Sequence, residues 1–235
     1  TDDISKIAEW LVSAEMPVVM VGAEAVMLGA ENLVQQLADT IKAPFFAEPN
    51  SAYPSGWQSP LFGGGYLSHH ELIAEADLIL YVNVNTLEQP DRKSLTAGRR
   101  KRHVQIGFDE MRLNEHVPAD WFTFGDPCAT LKALNEAVSR HSFDNQTLDR
   151  RSETIQKRYD THRTKIAKQV KAVWDNDPMS ADRFFSELRK CVPDEAIIVE
   201  HCTTASRAFV RSFSIPSPRQ HITASASNQG WGIAA

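Results

Sequence analysis

The chain has 235 residues, of which 42% are hydrophobic, and its formal net charge is −5 at pH 7. This length holds one large domain, or one and a half smaller ones. The acidic balance gives no reason to expect a nucleic acid or an anionic membrane as a partner, and no apolar run in the sequence reaches the length of a membrane span. Three cysteines, Cys128, Cys191 and Cys202, form neither a CxxC pair nor a disulfide framework. Such sparse usage is typical of a reducing compartment, so we expect a cytoplasmic protein.

Helix-like and strand-like segments alternate through residues 1–138. Asp2 or Asp3 can cap a helix that ends near Ser13, and Pro17–Gly22 is an apolar run typical of a strand buried on both faces of a parallel sheet. Further helices are predicted over 33–41, 68–74 and 128–138, and further strands over 43–48, 76–84, 103–109 and 121–126. This alternation predicts an α/β fold with a doubly wound parallel sheet, a Rossmann-like domain.

Residues 139–178 form a polar, basic stretch that interrupts this alternation. Its basic residues are Arg150, Arg151, Lys157, Arg158, Arg163, Lys165, Lys168 and Lys171. Two interpretations are open: a basic patch that binds a phosphate-rich partner, or a solvated helix that connects two domains. Aromatic side chains are too sparse to support stacking on nucleic-acid bases, and we expect a basic helical linker.

A partial second α/β domain is predicted over residues 179–235. Ser180 can cap its first helix, whose buried side is expected to carry Phe184, Phe185 and Leu188. Two strand–turn–helix units then follow, AIIVEHCTTASRAF and HITASASNQGWGIAA. Their turns are rich in small hydroxyl residues, whose side chains and backbone N–H groups can hold an anion. The second unit stops one turn into its helix, so we expect this domain to be truncated.

The order of these segments resembles that of the thiamine-diphosphate-dependent 2-oxo-acid decarboxylases and carboligases, the group that contains benzoylformate decarboxylase and acetolactate synthase. The resemblance is carried by AEMPVVMVGAEA, LADTIKAPFFAE, YPSGWQSPLFGGGYL, EADLILYVNV and HVQIGFD, in that order. It implies that residues 1–138 are the family's central Rossmann-like domain. It also implies that residues 179–235 are the N-terminal part of the diphosphate-binding domain, and that the full-length protein is a homodimer or homotetramer.

The resemblance assigns cofactor-binding residues to the first of the two turns. IIVEHCTTAS resembles the family's strand that ends in an acidic or amide residue before a Ser/Thr-rich turn. This implies that Thr203 and Thr204 hold the diphosphate of the cofactor, with His201 and Cys202 beside them. Two alternatives stay open: either threonine can simply cap the following helix, and His201 can have a packing role.

The second turn, SASNQGWGIAA, resembles the family segment that lies against the aminopyrimidine ring. Cofactor-binding roles are implied for Ser227, Asn228, Gln229 and Gly230, with Ser227 at the position of a carbonyl that accepts from the amino group of the ring. Gln229 departs from the family, which has an apolar residue there to support the bent cofactor. An amide in an apolar setting needs hydrogen-bond partners.

The family uses thiamine diphosphate and Mg²⁺ to decarboxylate or ligate 2-oxo acids, and this activity is implied for the full-length parent. Its metal-binding GDG motif does not occur in the sequence, so the Mg²⁺ ligands are expected beyond Ala235. The glutamate that activates the aminopyrimidine belongs to an N-terminal domain. We therefore expect no catalytic residue and no metal ligand in this chain, and no turnover by it in isolation.

Two other functions are considered. A nucleotide-binding α/β module would bind FAD or NADP, but GAEAVMLG after the first strand isn't the GxGxxG fingerprint. Whether the central domain binds FAD or ADP, as in some family members, stays open. A non-catalytic homologue is the other alternative, supported by Gln229 alone. Weaker features are the glycines at 63–65, which suit a flexible loop or a phosphate cradle, and His69 and His70, which suit a surface better than a metal site.

Overall fold

The computed structural model describes residues 2–48, 59–65, 70–84, 95, 98–109, 117–202, 204–213, 215 and 220–223. The described residues form two compact units, one up to residue 158 and the other from residue 159. Within the described residues, no helix is long and apolar enough to cross a membrane. The predicted domain boundaries at residues 138 and 178 stay predictions.

The first unit alternates strands with helices. Its helices are α1 (Asp2–Ser13), α2 (Ala23–Met27), α3 (Glu31–Ile41), α4 (His70–Glu75) and α5 (Pro127–Ser139), and α6 (Asn145–Val173) begins within it. Its strands are β1 (Pro17–Val21), β2 (Phe45–Ala47), β3 (Phe62–Gly65), β4 (Leu78–Val82), β5 (Arg102–Gly107) and β6 (Trp121–Phe124). The strands and helices expected from the apolar periodicity are therefore present, with shifts of a few residues at their ends.

The six strands form one parallel sheet in the order β3-β2-β1-β4-β5-β6. Val19 of β1 lies between Phe45 of β2 and Leu80 of β4, and every residue of β1 and β4 is buried. The chain proceeds outward from β1 to β3 and then returns to β4 beside β1. This is the doubly wound order of the Rossmann fold, with its switch point between β1 and β4. The predicted fold class is confirmed.

Amphipathic helices cover the sheet, as their apolar spacing predicts. α1 buries Ile4, Ile7, Ala8 and Leu11, and α3 buries Val34, Leu37, Ala38 and Ile41. Both helices pack against α5. The carboxylate of Asp126 caps α5 by accepting from the backbone N–H of Ala129 at 2.7 Å.

The glycines at 63–65 form strand β3, contrary to the expected loop. β3 pairs with β2 through Phe62 opposite Phe45 and Gly65 opposite Ala47. The ring centroids of Phe45 and Phe62 lie 5.2 Å apart. Backbone pairing and this ring contact therefore hold a segment whose own composition gives no strand signal.

One of the basic residues in the stretch 139–178 is buried. Arg151, on α6, has only 1% of its surface exposed. Its guanidinium donates to the carbonyl groups of Val12, Ala14 and Glu15 at the end of α1, and of Ile41 at the end of α3. A cation suits these carbonyl-bearing helix ends. Arg151 thus joins two helices of the first unit and departs from the interpretation of a solvated helix.

The second unit contains α7 (Ala181–Arg189), β7 (Ile198–Glu200), α8 (Ser206–Ser212) and β8 (His221–Thr223). As predicted, Ser180 caps α7, its hydroxyl oxygen accepting from the backbone N–H of Arg183 at 3.3 Å. The core of the second unit consists of Phe185, Ala208, Phe209, Phe213 and Ile215. Among the three residues expected on the buried side of α7, only Phe185 is buried, since Phe184 is 51% and Leu188 is 38% exposed.

Candidate functional site

The candidate site lies at the carboxyl edge of the two strands of the second unit. β7 and β8 pair in parallel, with Ile198 opposite His221 and Glu200 opposite Thr223. Parallel strands end at the same edge of a sheet, where ligands of α/β proteins bind. The turn His201–Thr204 follows β7 directly, and the segment after Thr223 follows β8. The topology therefore starts both predicted cofactor segments at one edge.

The structure places three of the eight predicted cofactor-binding residues. His201 and Thr204 are exposed, and Cys202 between them is partly buried. Thr203 and the four residues Ser227, Asn228, Gln229 and Gly230 lie outside the described residues. The first turn is thus observed in part, and the roles of its residues stay predictions.

Thr204 does not cap α8. The N-cap residue is Ala205, which makes no side-chain capping bond. The alternative of a purely capping role therefore does not hold for Thr204, which is exposed.

Glu200, the last residue of β7, directly precedes this turn. The sequence analysis did not assign it to the site. Glu200 is only 7% exposed, and one carboxylate oxygen accepts from the backbone N–H of Cys202 at 3.2 Å. The other oxygen lies 3.4 Å from Nε2 of His221. The available signal was the acidic residue at the end of the strand, which the sequence comparison noted without assigning it a role.

Glu200 is held in its charged form. Burial by itself would raise the pKa of Glu200, but the neighbouring side chains of His221 and Ser206 and the amide of Cys202 together lower it more. Its pKa is therefore below the ordinary value, and the carboxylate is ionised at neutral pH.

The thiol of Cys202, in contrast, is held in its neutral form. Burial and the negative charge of Glu200 both raise its pKa. The thiol therefore stays protonated at neutral pH and has little nucleophilic character. Its backbone N–H is already bound by Glu200, and the cofactor-binding role of Cys202 stays a prediction.

The switch point of the first unit is the second place where a ligand of this fold class would bind. A Cβ atom at Gly22, directly after β1, would lie 1.7 Å from the carbonyl oxygen of Asn83, directly after β4. In dinucleotide sites, glycine at such a turn lets the pyrophosphate approach the backbone. Here the protein's own backbone takes that space.

Two acidic side chains, Glu48 and Glu24, also lie at the switch point. Glu48, only 2% exposed, follows β2 and accepts from the backbone N–H of Ala23 at 2.8 Å. Glu24 accepts from the side-chain amide of Asn83 at 2.8 Å. Two anionic groups and a filled glycine position do not fit the phosphates of FAD or ADP.

Among the described residues, no group of three or more His, Cys, Asp or Glu side chains is arranged to hold a metal ion. His69 and the side chain of His70 lie outside the described residues. The three cysteines are all described, and all are free.

The family description "thiamine pyrophosphate enzyme, central domain" matches residues 4–134. The chain therefore belongs to the thiamine pyrophosphate enzyme family, and its first unit contains the central domain. Membership implies thiamine diphosphate as the cofactor of the family. No curated protein matches the chain.

Solved structures of two bacterial proteins share the fold. A protein assigned as a thiamin diphosphate-dependent enzyme from Mycobacterium smegmatis superposes with a TM-score of 0.70 at 17% identity, over 99% of this chain and 43% of its own. The benzoylformate decarboxylase of Polynucleobacter necessarius has a TM-score of 0.70 at 16% identity, over 98% of this chain and 41% of its own. The chain thus spans about two-fifths of each of these proteins.

The described part of the turn partly fits the cofactor that the family implies. A diphosphate needs short hydrogen-bond donors that are open to solvent before it binds. His201 and Thr204 are the two exposed residues in the described part of the turn, and the threonine side chain carries such a donor. Cys202 fits less well, because Glu200 has already bound its backbone N–H.

Proposed function

We propose that the protein containing this chain is a thiamine-diphosphate-dependent enzyme that decarboxylates or ligates 2-oxo acids. One observation carries the proposal: β7 and β8 pair in parallel, so both predicted cofactor segments start at one edge of the sheet. The match of residues 4–134 to the family's central domain supports it.

In this proposal each turn binds a different part of the cofactor. Thr203 and Thr204 donate to the diphosphate, with His201 and Cys202 beside them. Ser227, Asn228 and Gly230 lie on the aminopyrimidine side, and Gln229 supports the bent cofactor. When bound, thiamine diphosphate supplies an electron sink for making or breaking the bond next to the substrate carbonyl.

The proposal extends to the metal and the assembly. Mg²⁺ would neutralise the diphosphate. The sequence has no GDG motif to bind it. The full-length protein would be a homodimer or homotetramer. A cytoplasmic location stays a prediction from cysteine usage.

The test is turnover of a panel of 2-oxo acids, including benzoylformate and pyruvate, by the full-length protein with and without thiamine diphosphate and Mg²⁺. We expect cofactor-dependent release of CO₂ or a ligated product, and no turnover by residues 1–235 alone. Thr204→Ala should weaken cofactor binding, whereas Thr164→Ala, on the exposed side of α6, should not. Cofactor-independent turnover, or none with any 2-oxo acid, would contradict the proposal.

Two alternative functions can be distinguished from the proposed one by experiment. The occupied switch point argues against a nucleotide-binding module. A non-catalytic homologue rests on Gln229, and Gln229→Leu in the full-length protein tests it. A large gain in cofactor affinity would favour the non-catalytic homologue, and unchanged affinity would favour a working variant.

A further inference from the structure

The carboxylate of Glu200 connects three segments at the candidate cofactor edge. It ends β7, accepts from the backbone N–H of Cys202 within the following turn, and is hydrogen-bonded to Ser206 in the first turn of α8. Its second oxygen faces His221 on β8, 3.4 Å away. A single buried group at the end of β7 thus contacts the following turn at Cys202, the start of α8 and the neighbouring strand β8.

His221 is in turn fixed by packing. It is 6% exposed, and the centroid of its ring lies 5.5 Å from the ring centroid of Phe209 in the core of the second unit. Its Nε2 atom is buried and makes no well-directed hydrogen bond in the described structure, with the carboxylate of Glu200 as its neighbour at ion-pair distance. The imidazole therefore faces Glu200 from a buried position against the core of the second unit.

A carboxylate that directly precedes a diphosphate-binding turn places two negative charges close together. The ionised Glu200 would repel an anionic ligand on the turn, and repulsion is strong where water is excluded. With its proton on Nε2, the imidazole of His221 offsets part of this charge. The arrangement lets a carboxylate hold the backbone of the turn while presenting less negative charge to the ligand.

We propose that Glu200 and His221 are positioning residues for thiamine diphosphate. Glu200 holds the turn His201–Thr204 in its ligand-binding conformation through Cys202 and Ser206, and His221 offsets the charge of Glu200. Neither residue needs to contact the cofactor. This inference rests on the proposed function and assigns that function two residues outside the predicted set of eight.

The test uses the full-length protein with Mg²⁺. The dissociation constant of thiamine diphosphate is measured by isothermal titration calorimetry, and kcat is measured at saturating cofactor. Glu200→Ala should weaken cofactor binding about tenfold or more, as loss of a supporting group around a bound ligand does, with kcat at saturation within about twofold of wild type. Glu200→Gln should recover most of the affinity, because the amide oxygen can still accept from Cys202.

The role of His221 gives a test specific to charge. His221→Phe keeps the ring packing against Phe209 but leaves the carboxylate without its neighbouring N–H, so cofactor affinity should fall. In a Glu200→Gln background the same change should have little effect, because a neutral amide needs no charge compensation. This comparison remains decisive if Glu200→Ala fails to fold.

Phe185→Leu is the control for general destabilisation, since Phe185 packs in the same core against Phe209 and Phe213. It should lower the thermal midpoint without changing cofactor affinity. Cofactor affinity unchanged in Glu200→Ala and His221→Phe, or reduced equally in Phe185→Leu, would overturn the positioning role while leaving the proposed function intact. A wild-type protein that does not bind thiamine diphosphate would overturn both.

Discussion

Gly22 and Asn83 fill the same narrow space where the two central strands of the sheet separate. The backbone N–H of Gly22 donates to Val82 at 2.8 Å, which brings its Cα against the carbonyl group of Asn83. Asn83 has a φ of 50°, in the left-handed region that asparagine tolerates better than most residues. The turn after β1 is therefore closed by the end of β4.

Gly22→Ala should destabilise the protein strongly. A Cβ atom would lie 1.7 Å from a backbone oxygen, so the strands must separate at their ends. We expect a loss of about 3 kcal/mol in the free energy of unfolding, measured by urea denaturation. Gly65→Ala is the matched control, because nothing lies within 4 Å of its Cβ position. Equal stability of the two variants would contradict the close contact.

Arg151→Met should also be destabilising. The substitution keeps much of the aliphatic stem but removes the donors to the carbonyl groups at the ends of α1 and α3. Leaving these buried acceptors unpaired should lower the free energy of unfolding by about 3 kcal/mol, measured by denaturation. Arg150→Met, one residue away and exposed, should change it by less than about 0.5 kcal/mol. A small effect at Arg151 would show that the buried guanidinium is dispensable.

The switch point of the central domain should not bind FAD or ADP. The carboxylate of Glu48 occupies the backbone N–H of Ala23, and the glycine position is filled. Titration of the protein into FAD, followed by flavin fluorescence, should show no saturable change at micromolar concentrations. Glu48→Ala should also fail to bind, because Asn83 still fills the space beside Gly22. Saturable binding that ADP displaces would refute this prediction.

The buried pair Tyr81 and His103 should make stability depend on pH. The two side chains are joined by a hydrogen bond of 2.9 Å between the hydroxyl oxygen and Nδ1. Burial raises the pKa of Tyr81, so its hydroxyl keeps its proton. Burial, with a smaller contribution from Lys101, lowers the pKa of His103 against the opposing effect of Asp120.

Because the pKa of His103 is lower in the folded than in the unfolded protein, the unfolded state binds more protons in this range. Stability should therefore fall as the pH drops below about 6.5 toward the lowered folded value. The free energy of unfolding, measured from pH 7.5 to 5, should show a shallower decline in His103→Gln than in wild type. His141→Gln, an exposed site after α5, is the control and should keep the wild-type slope. Identical slopes in all three proteins would show that His103 doesn't contribute.

The elements of the central domain were predictable because their signals are local. Pro17–Val21 and Leu78–Val82 are short apolar runs typical of strands buried on both faces, and both strands are fully buried. Strand β3 was not predictable, because three consecutive glycines carry no strand signal of their own. It forms because β2 offers an unpaired edge and Phe45 offers a ring for Phe62.

The candidate site shows the same limit. The sequence pointed to the turn after β7 by its small hydroxyl residues. It also showed an acidic residue, Glu200, at the end of this strand, but it gave that residue no role and gave no signal for His221. These residues are 21 positions apart, and only the parallel register of β7 and β8 brings them together. The eight predicted residues were chosen by resemblance, and five of them lie outside the described residues.

The sequence by itself determined the alternation of strands and helices, the capping of α7 by Ser180 and the family, because hydrophobic spacing and short motifs are properties of neighbouring residues. Only the tertiary structure decided that Arg151 is buried, that Glu48 occupies the switch point and that Glu200 faces His221. Each of these contacts joins residues that are distant along the chain. The sheet register and the burial that bring them together depend on how the whole unit packs.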